Sequence, residues 1–102
     1  MQPDPIPLAQ AEALRDEILA LPGVAGMHGG QFGEVAMLYP GTRVRGLHLF
    51  TPRGRPDETR MEIHLIADLS QLPDLGELAG EIRTIAEGYV SEPVDVFFSD
   101  AS

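Results

Sequence analysis

A chain of 102 residues with 43% hydrophobic side chains is one domain's worth of sequence, with apolar content for a single modest core. Sixteen acidic residues against seven basic ones leave a formal charge of -9, which disfavours phosphate backbones and anionic lipid headgroups as direct partners. The absence of cysteine excludes a disulfide framework, a thiolate metal site and a cysteine nucleophile together.

In chain order, residues 1–7 hold three prolines and read as a flexible N-terminal arm, with a single domain expected over 8–102. The segment MQPDPIPL has neither a basic nor an apolar stretch of a leader. No later window approaches eighteen uninterrupted apolar residues, so a cytosolic protein with no direct membrane insertion is expected. Leu8, Ala11, Leu14, Ile18 and Leu21 recur at three- and four-residue intervals and predict a helix over 8–21, closed by Pro22-Gly23. The glycine-punctuated run VAGMHGGQFGEVAMLYPG predicts a short strand, a turn over Gly29-Gly30, and a second strand near Glu34 to Tyr39.

Arg43 to Thr51 and Arg60 to Asp68 predict the clearest strand pair, joined by the surface loop PRGRPDE. A second helix is predicted from about Asp74 to Tyr89, with Leu75, Leu78, Ile82, Ile85 and Tyr89 on one stripe and Pro73 in its first turn. A last strand follows from Val94 to Ser99. The expected order is α-β-β-β-α-β. The class is an α+β two-layer domain, with two helices on one face of a mostly antiparallel sheet of three to four strands.

Two helices cover one sheet face only. Strict alternation along the predicted strands leaves Leu47, Leu49, Ile66 and Phe97 on the other face, mixed with Arg45, Glu62, His64 and Asp95. Leu47, Leu49, His64, Ile66, Phe97 and Arg45 are therefore the candidates for a protein interface; singly exposed side chains are the alternative. Arg43, Arg45, Arg53, Arg55 and Arg60 cluster around the predicted hairpin, a local basic contrast that suits an acidic partner or a solvated loop.

No residue set carries a reaction. His28, His48 and His64 lack any H-x-x-H or H-E-x-x-H spacing, so no metal or cofactor is expected. The glycines match neither a Walker loop nor a dinucleotide fingerprint. Asp16-Glu17 and Asp57-Glu58 are sequence neighbours that point apart, and Ser70, Ser91, Ser99 and Ser102 have no nucleophile elbow. A non-enzymatic protein is expected.

The run LPGVAGMHGGQFGEVAMLYPGTRVRGL, then MEIHLIADLSQLPDLGELAGEIRTIA, then PVDVFFSD, resembles the alkaline shock protein family, also called envelope stress response proteins, in its actinobacterial form. The resemblance spans about Leu14 to Asp100. It rests on the order Pro22-Gly23-Val24, Gly29-Gly30, Gly33-Glu34-Val35-Ala36, Pro40-Gly41, Glu62-Ile63-His64 and Pro93-Val94-Asp95-Val96. The loop PRGRPDETR departs from it, being longer and richer in arginine. The resemblance implies a non-enzymatic cytoplasmic protein that self-associates as a homo-oligomer and gathers at the membrane by binding a membrane-anchored relative. The rival expectation is a small-ligand or RNA-binding module, for which Gly23-Val24-Ala25-Gly26 has the GXXG spacing but no basic flank.

Overall fold

The structure, a computed structural model, describes residues 6–30, 33–71 and 73–99. Its elements run α1 (Leu8–Leu19), β1 (Val24–Met27), β2 (Ala36–Tyr39), β3 (Thr42–Arg45), β4 (Leu47–Phe50), β5 (Arg60–Ala67), α2 (Leu75–Glu87) and β6 (Val94–Ser99), with single 3-10 turns at Pro56–Glu58 and Leu69–Gln71. The class is α+β, as the periodicities predict. The order is α-β-β-β-β-β-α-β, with five strands before α2 instead of the expected three: Val24–Met27 and Ala36–Tyr39 are separate strands, and the predicted strand from Arg43 to Thr51 is two strands broken at Gly46.

β5 is the axis of the main sheet. On one edge β4 pairs antiparallel with its first half, Leu47 opposite Ile63 and Phe50 opposite Arg60, while β1 pairs antiparallel with its second half. The two short strands meet end to end at His64, whose N–H donates to the Gly46 carbonyl (2.8 Å) and whose carbonyl accepts from His28 N–H (3.0 Å). On the other edge β6 runs parallel to β5 from Met61/Val94 to Ile66/Ser99, after the crossover through α2. β2 and β3 form a separate two-stranded hairpin around Pro40-Gly41, with Gly41 at φ 78 as a Pro-Gly turn requires.

The core lies between the sheet and the helices. Ala11, Leu14 and Ile18 of α1 and Leu78, Ile82 and Ala86 of α2 meet Leu47, Met61, Ile63, Leu65 and Val94 of the sheet, with Val44 closing one side. Ile6 is fully buried in this cluster and its carbonyl accepts the Tyr39 hydroxyl (2.8 Å), so the expected arm does not extend to residue 6; residues 1–5 lie outside the described residues. Among the described residues no helix is long and apolar enough to cross a membrane.

The helix ends differ from expectation in small ways. α1 stops at Leu19, and Pro22-Gly23 makes a separate turn in which Val24 N–H donates to the Leu21 carbonyl (3.3 Å) with Gly23 at φ 93. At α2 the cap is Asp74, whose carboxylate accepts from Glu77 N–H (3.0 Å), so Pro73 precedes the helix instead of lying in its first turn. The Tyr89 hydroxyl, just past α2, donates to the Glu17 carboxylate of α1; that bond ties the helices together and raises the phenol's pKa.

Gly46 is where the strand pattern is set. It sits at φ 90, its N–H donates to the Val35 carbonyl (2.9 Å), and a Cβ there would lie 2.9 Å from the His64 carbonyl oxygen and 2.7 Å from Met27 Cε. Backbone strain and a backbone clash coincide, so Gly46→Ala is expected to lower unfolding free energy by about 2–4 kcal/mol. Urea denaturation checks this; a loss below about 0.5 kcal/mol would mean the junction is not tightly built.

Candidate interaction surface

The face of the main sheet turned away from the helices is built by strand alternation. Along β5, Met61, Ile63, Leu65 and Ala67 are buried toward the core, which sends Arg60, Glu62, His64 and Ile66 outward. Along β6, Val94, Val96 and Phe98 belong to the core side and Asp95, Phe97 and Ser99 to the outer one. β4 adds His48 and Phe50, which stand opposite Glu62 and Arg60.

The outer side chains are organised in pairs, both across strands and along β5. The Phe97 ring stacks on the His64 imidazole with centroids 4.7 Å apart and planes at 22°. His64 Nε2 lies 3.2 Å from Glu62 Oε1. The Arg60 guanidinium donates to both Asp95 oxygens, at 2.6 and 2.8 Å, a bidentate arrangement that holds the Asp95 carboxyl below its ordinary value and raises the Arg60 pKa. Phe97 and Phe50 remain 42% and 47% exposed. Phe97 and Phe50 thus stand at separate points of this face, Phe97 opposite His64 and Phe50 opposite Arg60, with the Arg60–Asp95 pair between them.

The six residues expected at an interface divide. His64, Ile66 and Phe97 lie together on the outer face. Leu47 does not: it is fully buried opposite Ile63. Leu49 stands opposite buried Met61 and packs half-buried against the core. Strict alternation counted through residue 46 sends both outward. The left-handed Gly46 breaks the strand and resets the phase, so Val44, Leu47 and Leu49 all turn inward while His48 and Phe50 turn out. Arg45 lies on β3, outside the main sheet, with its side chain laid over Gly29. Phe50 and His48 are the outer-face residues the sequence reading missed, and the Gly46 punctuation was the available signal.

The arginines separate as well. Arg43 and Arg45 belong to the β2–β3 hairpin, Arg53 and Arg55 to the exposed β4–β5 loop, and Arg60 to the bidentate pair. Gly23 to Gly26 span a turn and the start of strand β1. An open depression of about 870 Å³ beside α2 is lined by Leu21, Pro22, Ile85 and Thr84 and by the carboxylates Glu77 and Glu81, an environment hostile to anions. Among the described residues no group of three or more His, Asp or Glu side chains is placed to hold a metal ion. Compared with protein-family models, curated proteins and solved structures, the chain matches none.

Two outcomes follow from this placement. Leu47→Ala is expected to cost about 2–5 kcal/mol of unfolding free energy and Phe97→Ala less than about 1, read from urea titrations; the reverse ranking would return Leu47 to the surface. The second concerns acid. Because hydrogen bonding to Arg60 lowers the folded-state pKa of Asp95 below 3.8, the pair stabilises the fold above that pH and the contribution disappears as pH falls through the lower folded value. Melting temperature followed down from about pH 6 should therefore fall less steeply in Asp95→Asn than in the wild type, and parallel acid limbs would show that the pair does not contribute.

Proposed function

We propose that this protein is a non-catalytic interaction domain that assembles with copies of itself and with a membrane-anchored relative, a scaffold of the envelope stress type that its sequence resembles. The observation that carries the reading is the outer sheet face, uncovered among the described residues, where Phe97 stacks on His64 and Phe50 stands exposed on β4. Solvated sheet faces usually alternate polar residues outward; this one presents aromatic rings at the positions water should occupy. Its ionisable groups support binding over chemistry, since Arg60 is spent on Asp95 and Glu62 contacts His64.

The charge distribution supports the same side of the molecule. Asp16, Glu17, Glu77, Glu81 and Glu87 are exposed on the helices, so two helix layers repel each other, whereas on the outer sheet face Arg60 pairs with Asp95. Light scattering coupled to gel filtration over a concentration series tests the reading. The wild type should exceed 11.0 kDa in a concentration-dependent way, and Phe97→Asp, at an exposed site, should shift the species toward monomer without loss of helical signal. A monomer at every concentration, unchanged by Phe97→Asp, removes self-association.

A further inference from the structure

We propose that two copies of the chain pair antiparallel through the free edge of β6, about a two-fold axis at Phe97; this rests on the self-association proposed above and assigns its geometry. The phase of the strand decides which backbone groups are available. Met61 N–H donates to the Pro93 carbonyl (2.8 Å), so residues 93, 95, 97 and 99 turn their backbone groups to β5 and residues 94, 96 and 98 turn theirs to the open side. Among the described residues β6 has no strand partner other than β5.

The edge lacks the usual defences against pairing. Its segment VDVFFS contains no proline and no lysine, and its register with β5 runs without a bulge. Its one charge, Asp95, is already bound to Arg60, so a chain of net charge -9 presents a locally neutral strand here. The opposite edge of the sheet is different. There β1 and β4 are separate four-residue strands, β1 is irregular between Val24 and Gly26, and Gly46 at the junction is bonded to Val35 ahead of the β2–β3 hairpin.

The register follows from one further contact. Antiparallel strands place residues of the same face opposite each other, and the outward groups of β6 allow an axis at Val96 or at Phe97. An axis at Val96 would bond Val94 to Phe98. The Val94 carbonyl, however, already accepts from Arg83 Nε of α2 (3.2 Å). An axis at Phe97 leaves Arg83 in place and pairs Val96 with Phe98 twice, each pair exchanging N–H···O bonds in both directions. On the core side this lays half-buried Val96 against half-buried Phe98 of the second copy, extending the core across the axis. On the outer side Phe97 meets Phe97, and each Asp95 meets the Ser99 hydroxyl instead of a second carboxylate. Arg83 is thus the positioning residue of the register, and the two sheets become one continuous sheet.

The chain has no cysteine, so a single introduced thiol reads the register directly. Opposed residues at a non-hydrogen-bonded antiparallel position have Cα atoms about 4.5 Å apart, within disulfide reach. Phe97→Cys, oxidised at low micromolar concentration, should convert to a covalent dimer on a non-reducing gel about tenfold faster than Val96→Cys or Leu38→Cys, the last being 76% exposed on the β2–β3 hairpin. Circular dichroism of each variant confirms that it is folded. Assembly of the wild type without preferential cross-linking at position 97 would overturn the edge pairing and leave self-association standing. Faster cross-linking at position 96 would overturn the register, and a strictly monomeric wild type that never cross-links at 97 would remove both.

Discussion

Every strand of the main sheet is hydrogen-bonded to β5, so the alternation of residues 61 to 67 decides what the molecule buries and what it shows. Met61, Ile63, Leu65 and Ala67 turn toward α1 and α2, and their removal from water drives the sheet against the helices. The same eight-residue strand necessarily points Glu62, His64 and Ile66 the other way. Among the described residues, α1 and α2 are the two helices available to cover the sheet. One face is therefore left bare by arithmetic of area, and its composition becomes the functional question.

The constraint at His64 shapes the rest. Two short strands share one edge of β5 only because the chain makes a sharp left-handed bend at Gly46, where the backbone of the two segments touches. That junction breaks up one edge and brings the β2–β3 hairpin alongside it. The other edge is covered by a single uninterrupted strand, β6, whose crossover through α2 is of the ordinary parallel kind. Asymmetry between the two edges is thus a consequence of one glycine.

Much of the fold was legible because hydrophobic periodicity reports burial. The stripes Leu14/Ile18 and Leu78/Ile82 and the alternation of β5 and β6 all resolve into the core as read. What failed was phase. RVRGLHLF reads as one strand by composition, and period-two counting through it sends Leu47 and Leu49 outward. A residue at positive φ does not preserve the pleat, so counting must restart after it. Ile6 failed for another reason: an isolated apolar residue among prolines has no period, and only the space between Tyr39 and the core explains its burial. The outer-face pairs Arg60–Asp95 and His64–Phe97 join residues more than thirty apart and depend on a parallel register that local patterns do not encode.

Charge links these observations to assembly. Two copies of a chain carrying -9 repel at distances of several ångströms, and screening at physiological salt reduces this only beyond about 8 Å. The proposed contact between copies is therefore favoured where local charge is cancelled within each copy. The helix layer does not meet that condition, since its exposed carboxylates outnumber Arg15 and Arg83. The β6 side does: Arg60 neutralises Asp95 in place, Arg83 is drawn to the Val94 carbonyl, and the side chains between are Val96, Phe97 and Phe98. In the proposed pairing, repulsion adds to specificity, because orientations that bring two acidic helix layers together are penalised.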